Sequence, residues 1–267
     1  MITTRKYQPG DKNEWDNFVR KSNNGTLFNY RDFLNYHLER KFRDHSLILK
    51  KNHNIIGLFP AAEIENQQHR ILFSHPGTSF GGFIVARISY SDADELLHSF
   101  EAYCRKEKFH STFLVPTPPI YLREPDETME YALLWKKFQI AENYISNVID
   151  LDGDLDRKLS AIYRKKNRSR TYYAKLVERN DLHLEWNKDY ENFYPILLEN
   201  KKRHNSLPTH SLEELLKLDK LFPDSFHLLM LYCGKTPIGG TLNFVANTRT
   251  AIIFYNMIDY RYARFQP

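Results

Sequence analysis

The strongest constraint on this chain is that it repeats itself. Leu47-Ile48-Leu49 followed by Ile56-Gly57 matches Leu229-Met230-Leu231 followed by Ile238-Gly239 at a constant offset of 182. The stretch upstream keeps the same offset, Asp32-Phe33-Leu34 against Glu214-Leu215-Leu216, and Arg70–Phe73 lies against Ala251–Phe254 at 181. Asp16-Asn17-Phe18 likewise resembles Glu191-Asn192-Phe193. Chance places one apolar strand opposite another, because Leu and Ile are common. It rarely keeps four elements in order with almost no gap. The expectation is therefore a unit of helix, helix, hairpin and third strand present twice, with two unrelated domains as the alternative.

Local patterns fill in that frame. Trp15, Phe18 and Val19, then Phe28, Phe33, Leu34, Tyr36, His37 and Leu38, predict two short helices around the Asn23-Asn24-Gly25 turn. Ser46–Lys50 and Ile55–Ile64 read as a hairpin, followed by strands at His69–Ser74 and Gly81–Val85. Ser91 is placed to cap a helix over Ser91–Lys108, where Leu96, Leu97, Phe100 and Tyr103 recur at helical spacing. A strand at Ser111–Val115, a helix at Thr128–Phe138 and a strand at Tyr144–Leu151 complete a first unit over 1–150. The acidic, turn-like run Asp150–Asp156 marks the junction.

The second unit, 151–267, opens with a basic helix over Leu155–Arg179. A strand at Leu182–Trp186 and a helix at Tyr190–Lys202 follow. The next helix, Ser211–Leu221, has Ser211 and Glu214 in a capping-box pattern. Strands at His227–Cys233, Ile238–Phe244 and Thr250–Asp259 close it. The sequence stops at Pro267, just after the strand that matches Arg70–Phe73. The second unit is thus expected to lack its C-terminal half and to leave a sheet edge at Thr250–Asp259, an aggregation hazard.

Composition narrows the function class. Apolar residues make 42% and charged residues 27%, a globular mixture and not a disordered one. Lys and Arg exceed Asp and Glu by five, a mild excess that suits an anionic substrate without implying nucleic acid. The most apolar stretches, Leu228–Cys233 and Ala251–Tyr255, fall far short of the roughly 20 residues of a membrane span. The N-terminal segment has no apolar signal core, so a cytoplasmic chain is expected. Cys104 and Cys233 are too few and too far apart for a disulfide framework or a metal site.

Several short stretches carry a family likeness. They are Trp15–Phe18 with Asn24–Phe28, Phe33-Leu34 with Tyr36-His37, and His75-Pro76 with Phe80-Gly81-Gly82. Lys166-Asn167-Arg168 with Ala174-Lys175, and Ile238–Leu242 with Phe254-Tyr255-Asn256, belong to the same set. Together with the element order they resemble the GNAT acyltransferase fold, two units in tandem, as in the Fem-type family. That family includes the aminoacyltransferases that build peptidoglycan cross-bridges. The resemblance implies an α/β (α+β) chain of two tandem GNAT-like units, with mixed, largely antiparallel sheets flanked by helices. It implies transfer of an acyl or aminoacyl group from acyl-CoA or aminoacyl-tRNA onto an amine, without a metal. The acceptor would be a cell-envelope precursor, small or lipid-linked and anionic, or a similar small metabolite; tRNA would be a partner and association with a membrane peripheral. The chain departs from the family in having no long inserted helical hairpin. It also ends before the helix that would follow Asp259 and bind cofactor phosphate.

Such a reaction asks little of side chains. An activated ester or thioester brings its own leaving group; the protein must orient an amine, accept a proton and stabilise an oxyanion. No nucleophile is required, and Ser79 lacks the Gly-x-Ser-x-Gly setting. Between Arg157 and Arg179 there are nine cations opposed only by Glu178. These read as a phosphate cradle or as a solvated helix face, and the resemblance singles out Lys165 and Arg168. Phe80, Gly81 and Gly82 would line a substrate groove, glycines letting backbone N–H groups approach a ligand, or form an ordinary connection. On the last strand Asp259 would accept the amine proton, with Tyr255 and Asn256 orienting substrate; a strand-end Asp and a core Tyr are the bland alternative. His204 and His210 lack companions for a metal. Trp15, Phe18, Phe28, Phe33 and Tyr36 are expected in a core. The rival function is a non-catalytic module that docks an anionic polymer or tRNA through the basic helix.

Overall fold

The computed structural model describes residues 1–38, 42–66, 69–162 and 170–265. They sort into two compact units, neither one unbroken stretch. The first is Met1–Gln139 with Glu213–Phe226 and Phe244–Ile252; the second is Ile140–Leu212 with His227–Asn243 and Ile253–Pro267.

The first unit begins with β1 (Ile2–Lys6), α1 (Lys12–Lys21), α2 (Arg31–Leu34), β2 (Arg43–Asp44), β3 (Leu47–Lys51) and β4 (Asn54–Phe59). It continues with β5 (Ala62–Asn66), β6 (His69–Ser74), β7 (Ile84–Val85), α3 (Tyr90–Lys106), β8 (Ser111–Leu114) and α4 (Thr128–Trp135). One sheet has the order β1-β3-β4-β7 and the other β2-β5-β6-β8. Pro60 lies between β4 and β5, where the chain passes from one sheet to the other. Without an N–H it cannot continue a ladder. Its carbonyl accepts from Ser74 Oγ at the end of β6. All strand pairs of this unit are antiparallel except β6 with β8, which are joined through α3 and run parallel.

Strand alternation divides the core in two. Leu47, Leu49 and Phe59 pack with Leu96, Leu97 and Phe100 of α3 on one face. Ile48 and Leu58 pack with Trp15 and Val19 of α1 on the other. Helix α3 is capped by Ser89, not Ser91. Ser89 has extended backbone (φ −75°, ψ 155°), and its Oγ accepts from Asp92 N at 3.1 Å. An N-cap needs that non-helical geometry, and Ser91 is already inside the helix.

The remaining elements are α5 (Leu155–Ile162), α6 (Arg170–Arg179), β9 (Leu182–Asn187), α7 (Tyr190–Arg203), α8 (Leu212–Leu221), β10 (Phe226–Cys233), β11 (Thr236–Val245) and β12 (Ala251–Ile258). Their sheet has the order β12-β11-β10-β9. Strands β9 and β12 are therefore edges among the described residues. Gly234, in the turn between β10 and β11, has φ +56°, which an L side chain adopts only with strain. The expected basic helix is described as two, α5 and α6, and residues 163–169 between them lie outside the described residues. Tyr144–Leu151, expected as a strand, takes no sheet partner among the described residues. Tyr144, Ile145, Val148, Ile149 and Leu151 are instead exposed. Alternation supplies propensity, but a strand exists only beside a neighbour that accepts its ladder. Both cysteines are free thiols, and burial pushes Cys104 up to about 11. Among the described residues no helix is long and apolar enough to cross a membrane.

Candidate active site

The first unit holds a cavity of about 270 Å³ lined by Arg31, Leu34, Asn35, His37, Phe42, Asp44 and His75. Its floor is a buried guanidinium. Arg31 opens α2, where its N–H donates to Asp16 Oδ1 at 2.9 Å. Its side chain is 2% exposed and lies with Cζ 3.8 Å from the centre of the Tyr7 ring and 5.0 Å from that of Trp15. Nη1 donates to Ser46 Oγ at 2.9 Å and Nη2 to Asp44 Oδ2 at 2.5 Å. Nε, also buried, has no hydrogen-bond partner. A buried donor in that condition is a standing attraction for an acceptor brought in by a ligand. Burial pushes the Asp44 carboxyl up, but the Arg31 charge and two bonds from Ser46 outweigh it, and its pKa lies below the ordinary value.

Two imidazoles flank this pair. His75 accepts from Gly77 N at Nδ1, 3.1 Å, which puts the proton of the neutral ring on Nε2. Desolvation lowers its pKa to about 4, so the ring is neutral at physiological pH and serves as an N–H donor, not as a cation. His37 Nε2 donates to Gly77 O at 3.2 Å, and Nδ1 lies 3.7 Å from Glu214 Oε1 of α8. That carboxylate also accepts from Leu38 N at 3.1 Å. The Phe42 ring stands edge-on to both imidazoles, at 5.0 Å from His37 and 5.4 Å from His75. Gly77 is required here, because a Cβ would come within 2.4 Å of His37 Nε2 and 2.6 Å of Phe42 Cε2.

The residues expected to form the site fare differently. Lys165 and Arg168 lie outside the described residues. The Phe80 ring packs against Phe28 at 5.7 Å and Tyr121 at 5.0 Å. Gly81 N donates to Val115 O at 2.8 Å and Gly82 N to Ser74 Oγ at 2.8 Å. A Cβ on Gly81 would meet Ser74 O at 2.6 Å, and Gly82 has φ +74°. These glycines answer close backbone packing, and their amides are engaged inside the fold.

In the second unit Tyr255 is buried, its hydroxyl 2.9 Å from His210 Nδ1, and burial raises its pKa. Asn256 is exposed on the opposite face of β12. Asp259 follows the strand and accepts from the Arg261 backbone N–H and guanidinium, which hold its carboxyl below the usual range. Sequence reasoning passed over Arg31 and Asp44 entirely and read Glu214 only as a repeat and capping-box residue. It read His37 as a helix residue and a family position, and His75 as a loop and family position. No local pattern distinguishes a buried Arg from a surface one; only the aromatic run around it, Phe28 to Phe33, hinted at enclosure.

The geometry has parallels among solved structures. FemX matches with a TM-score of 0.62 at 12% identity, over 99% of this chain and 82% of that one. A conserved protein of unknown function from Bacteroides thetaiotaomicron VPI-5482 matches with a TM-score of 0.52 at 11% identity, over 98% of this chain and 81% of that one. No protein-family model and no curated protein matches the sequence. The chain has the Fem-type α/β fold, with mixed, largely antiparallel sheets flanked by helices.

Proposed function

We propose that the chain is an acyl- or aminoacyltransferase whose acceptor is an amine on a cell-envelope precursor or similar small metabolite. The observation that carries the reading is the Arg31–Asp44–His75 cavity: fixed charge and a neutral imidazole donor, enclosed within a Fem-type fold. A cavity of this size admits the head group of a substrate and not the whole of it. Arg31 Nε offers a donor to a carboxylate or phosphate oxygen. The Nε2–H of His75 offers a second, suited to a carbonyl oxygen on which negative charge builds as the amine attacks. A neutral imidazole serves here better than a cation, because it polarises the carbonyl without demanding a counter-charge. Acyl-CoA and aminoacyl-tRNA are the donor candidates, the basic segment around Lys165 and Arg168 is the candidate phosphate contact, and the setting is the cytoplasm.

Asp259 and Tyr255 are the alternative catalytic groups. Asp259 is a weak base as Arg261 holds it, so Asp259→Asn is expected to keep turnover. The deciding assay gives the protein an acyl-CoA or an aminoacyl-tRNA together with a UDP-linked peptide precursor that bears a free amine. Turnover with one donor, reduced about 10²- to 10³-fold by His75→Asn, is the expected result. Salt-sensitive tRNA binding with no turnover from either donor would transfer support to the non-catalytic docking module.

A further inference from the structure

Arginines from three distant stretches meet on the surface of the first unit. Arg20 lies in the last turn of α1, Arg123 between β8 and α4, and Arg249 between β11 and β12. All three belong to the first unit and are exposed. Hydrogen bonds tie their segments together. Asn23 Nδ2 donates to Glu124 O and Asn23 Oδ1 accepts from Glu124 N, each at 2.9 Å. Arg123 N donates to Asn23 O at 2.9 Å. Asn247 Nδ2 donates to Tyr121 O at 2.8 Å, and Thr250 Oγ1 to Ile120 O at 3.1 Å.

The guanidinia are held by neutral oxygens. Arg123 Nη2 donates to the Arg20 carbonyl, and Arg249 Nη1 to the Arg123 carbonyl. Arg20 Nη2 donates to the side-chain oxygen of Asn17. Among the described residues none of the three forms an ion pair. The neighbouring Glu124 carboxylate is 70% exposed and lies 3.7 Å from a fourth cation, Arg87. Burial raises the pKa of Tyr30, and the Arg20 and Arg123 charges both pull against that rise, so the two cations lie within reach of one hydroxyl. A guanidinium has five N–H donors. A bond to a carbonyl fixes its fork and neutralises no charge. Cations gathered in this way repel one another until an anion bridges them.

We infer that this surface binds a multiply charged phosphate group of the diphosphate class, held between Arg20, Arg123 and Arg249. The planar fork of arginine matches phosphate oxygens. One phosphate carries about two charges, and linked phosphates bring enough to match three guanidinia. A single-stranded nucleic acid fits less well. It needs exposed aromatic faces for its bases, and the aromatic residue facing these arginines, Tyr30, has its ring against Phe222 at 6.3 Å. The surface shares no lining residue with the Arg31 cavity, and binding here requires no turnover.

The test is isothermal titration of the full chain with inorganic pyrophosphate. Saturable binding that weakens with salt is expected. Arg20→Gln and Arg249→Gln, both checked for folding by circular dichroism, should each weaken it about tenfold, and orthophosphate should bind about tenfold less tightly than pyrophosphate. Arg123→Gln also removes the bond to the Arg20 carbonyl, so the other two variants carry the decision. Tighter binding of a nucleoside diphosphate would place the phosphates on a nucleoside; equal or weaker binding would assign the surface to the free anion, and both support the proposal. Absence of saturable binding, or binding that Arg20→Gln and Arg249→Gln leave unchanged, overturns it. So does binding lost only when Lys165→Gln and Arg168→Gln are combined, which would put the phosphate on the basic segment. A tRNA held through the same arginines far more tightly than pyrophosphate would make the surface a nucleic-acid contact and overturn it equally.

Discussion

In the β3–β4 hairpin Leu47, Ile48 and Leu49 are all fully buried, whereas of Leu229, Met230 and Leu231 in the β10–β11 hairpin only Met230 is. The strands carry nearly the same residues in the same register. What differs is the cover. The middle residue is buried in both, Ile48 against α1 and Met230 beside Gly240, whose other neighbour is Phe193 of α7. Only the first unit has α3 over the outer pair. Strand pattern is local information, read from alternation over five or six residues. Burial depends on an element arriving from elsewhere.

The largest effect should separate the two hairpins themselves. Leu49→Ala is expected to cost about 2–5 kcal/mol, and Leu231→Ala about 1 kcal/mol, because its surroundings are already half wet. Urea unfolding measures both, and equal losses would break the comparison. Two Arg–Asp pairs offer a second contrast. Arg31→Met leaves Asp44 without the charge that holds it and should cost about 3 kcal/mol. Arg261→Met, which removes an exposed guanidinium beside Asp259, should leave the unfolding midpoint nearly where it was.

Acid sharpens the contrast further. His75 has a folded-state pKa near 4 against an ordinary 6.5, so the unfolded chain binds the extra proton first. Stability contributed by the neutral ring is complete above about pH 6.5 and lost as pH falls toward 4, on the order of 3 kcal/mol. Thermal melts of His75→Asn should lose that slope; an unchanged slope would mean that His75 is not the group responsible. A smaller effect than those of Leu49→Ala and Arg31→Met belongs to a turn. Gly234→Ala should cost about 1 kcal/mol, because its φ of +56° penalises any Cβ. Gly81→Ala should cost more, since the added Cβ would meet Ser74 O at 2.6 Å and backbone does not yield.

Much of the architecture was legible beforehand. The strand at His69–Ser74 appears with its expected bounds, and the helices at α3, α7 and α8 fall within a few residues of theirs. Apolar periodicity over a long window is a redundant signal, so it survives small errors. Tyr144–Leu151 had the same alternation and formed no strand among the described residues, because no neighbour completes its ladder. The candidate site was far less legible. Its Arg31, Asp44, His75 and Glu214 come from stretches up to 183 residues apart, and each is unexceptional where it stands in the sequence. In the Gly-rich loop the structure adds a packing reason for the glycines: Gly81 makes room for Ser74, and Gly77 for His37 and Phe42.

The residues taken alone carried a unit of helix, helix, hairpin and third strand written twice, which face of each strand is apolar, and a resemblance to the fold that FemX shares. Those properties repeat at short range, through backbone geometry and side-chain alternation. Tertiary structure alone decided which of those apolar faces is covered. It alone assembled a guanidinium, two imidazoles and a carboxylate around one cavity. Burial and convergence are properties of distant segments brought together, and the pKa of His75 or the unpartnered Nε of Arg31 exists only once water has been excluded around it.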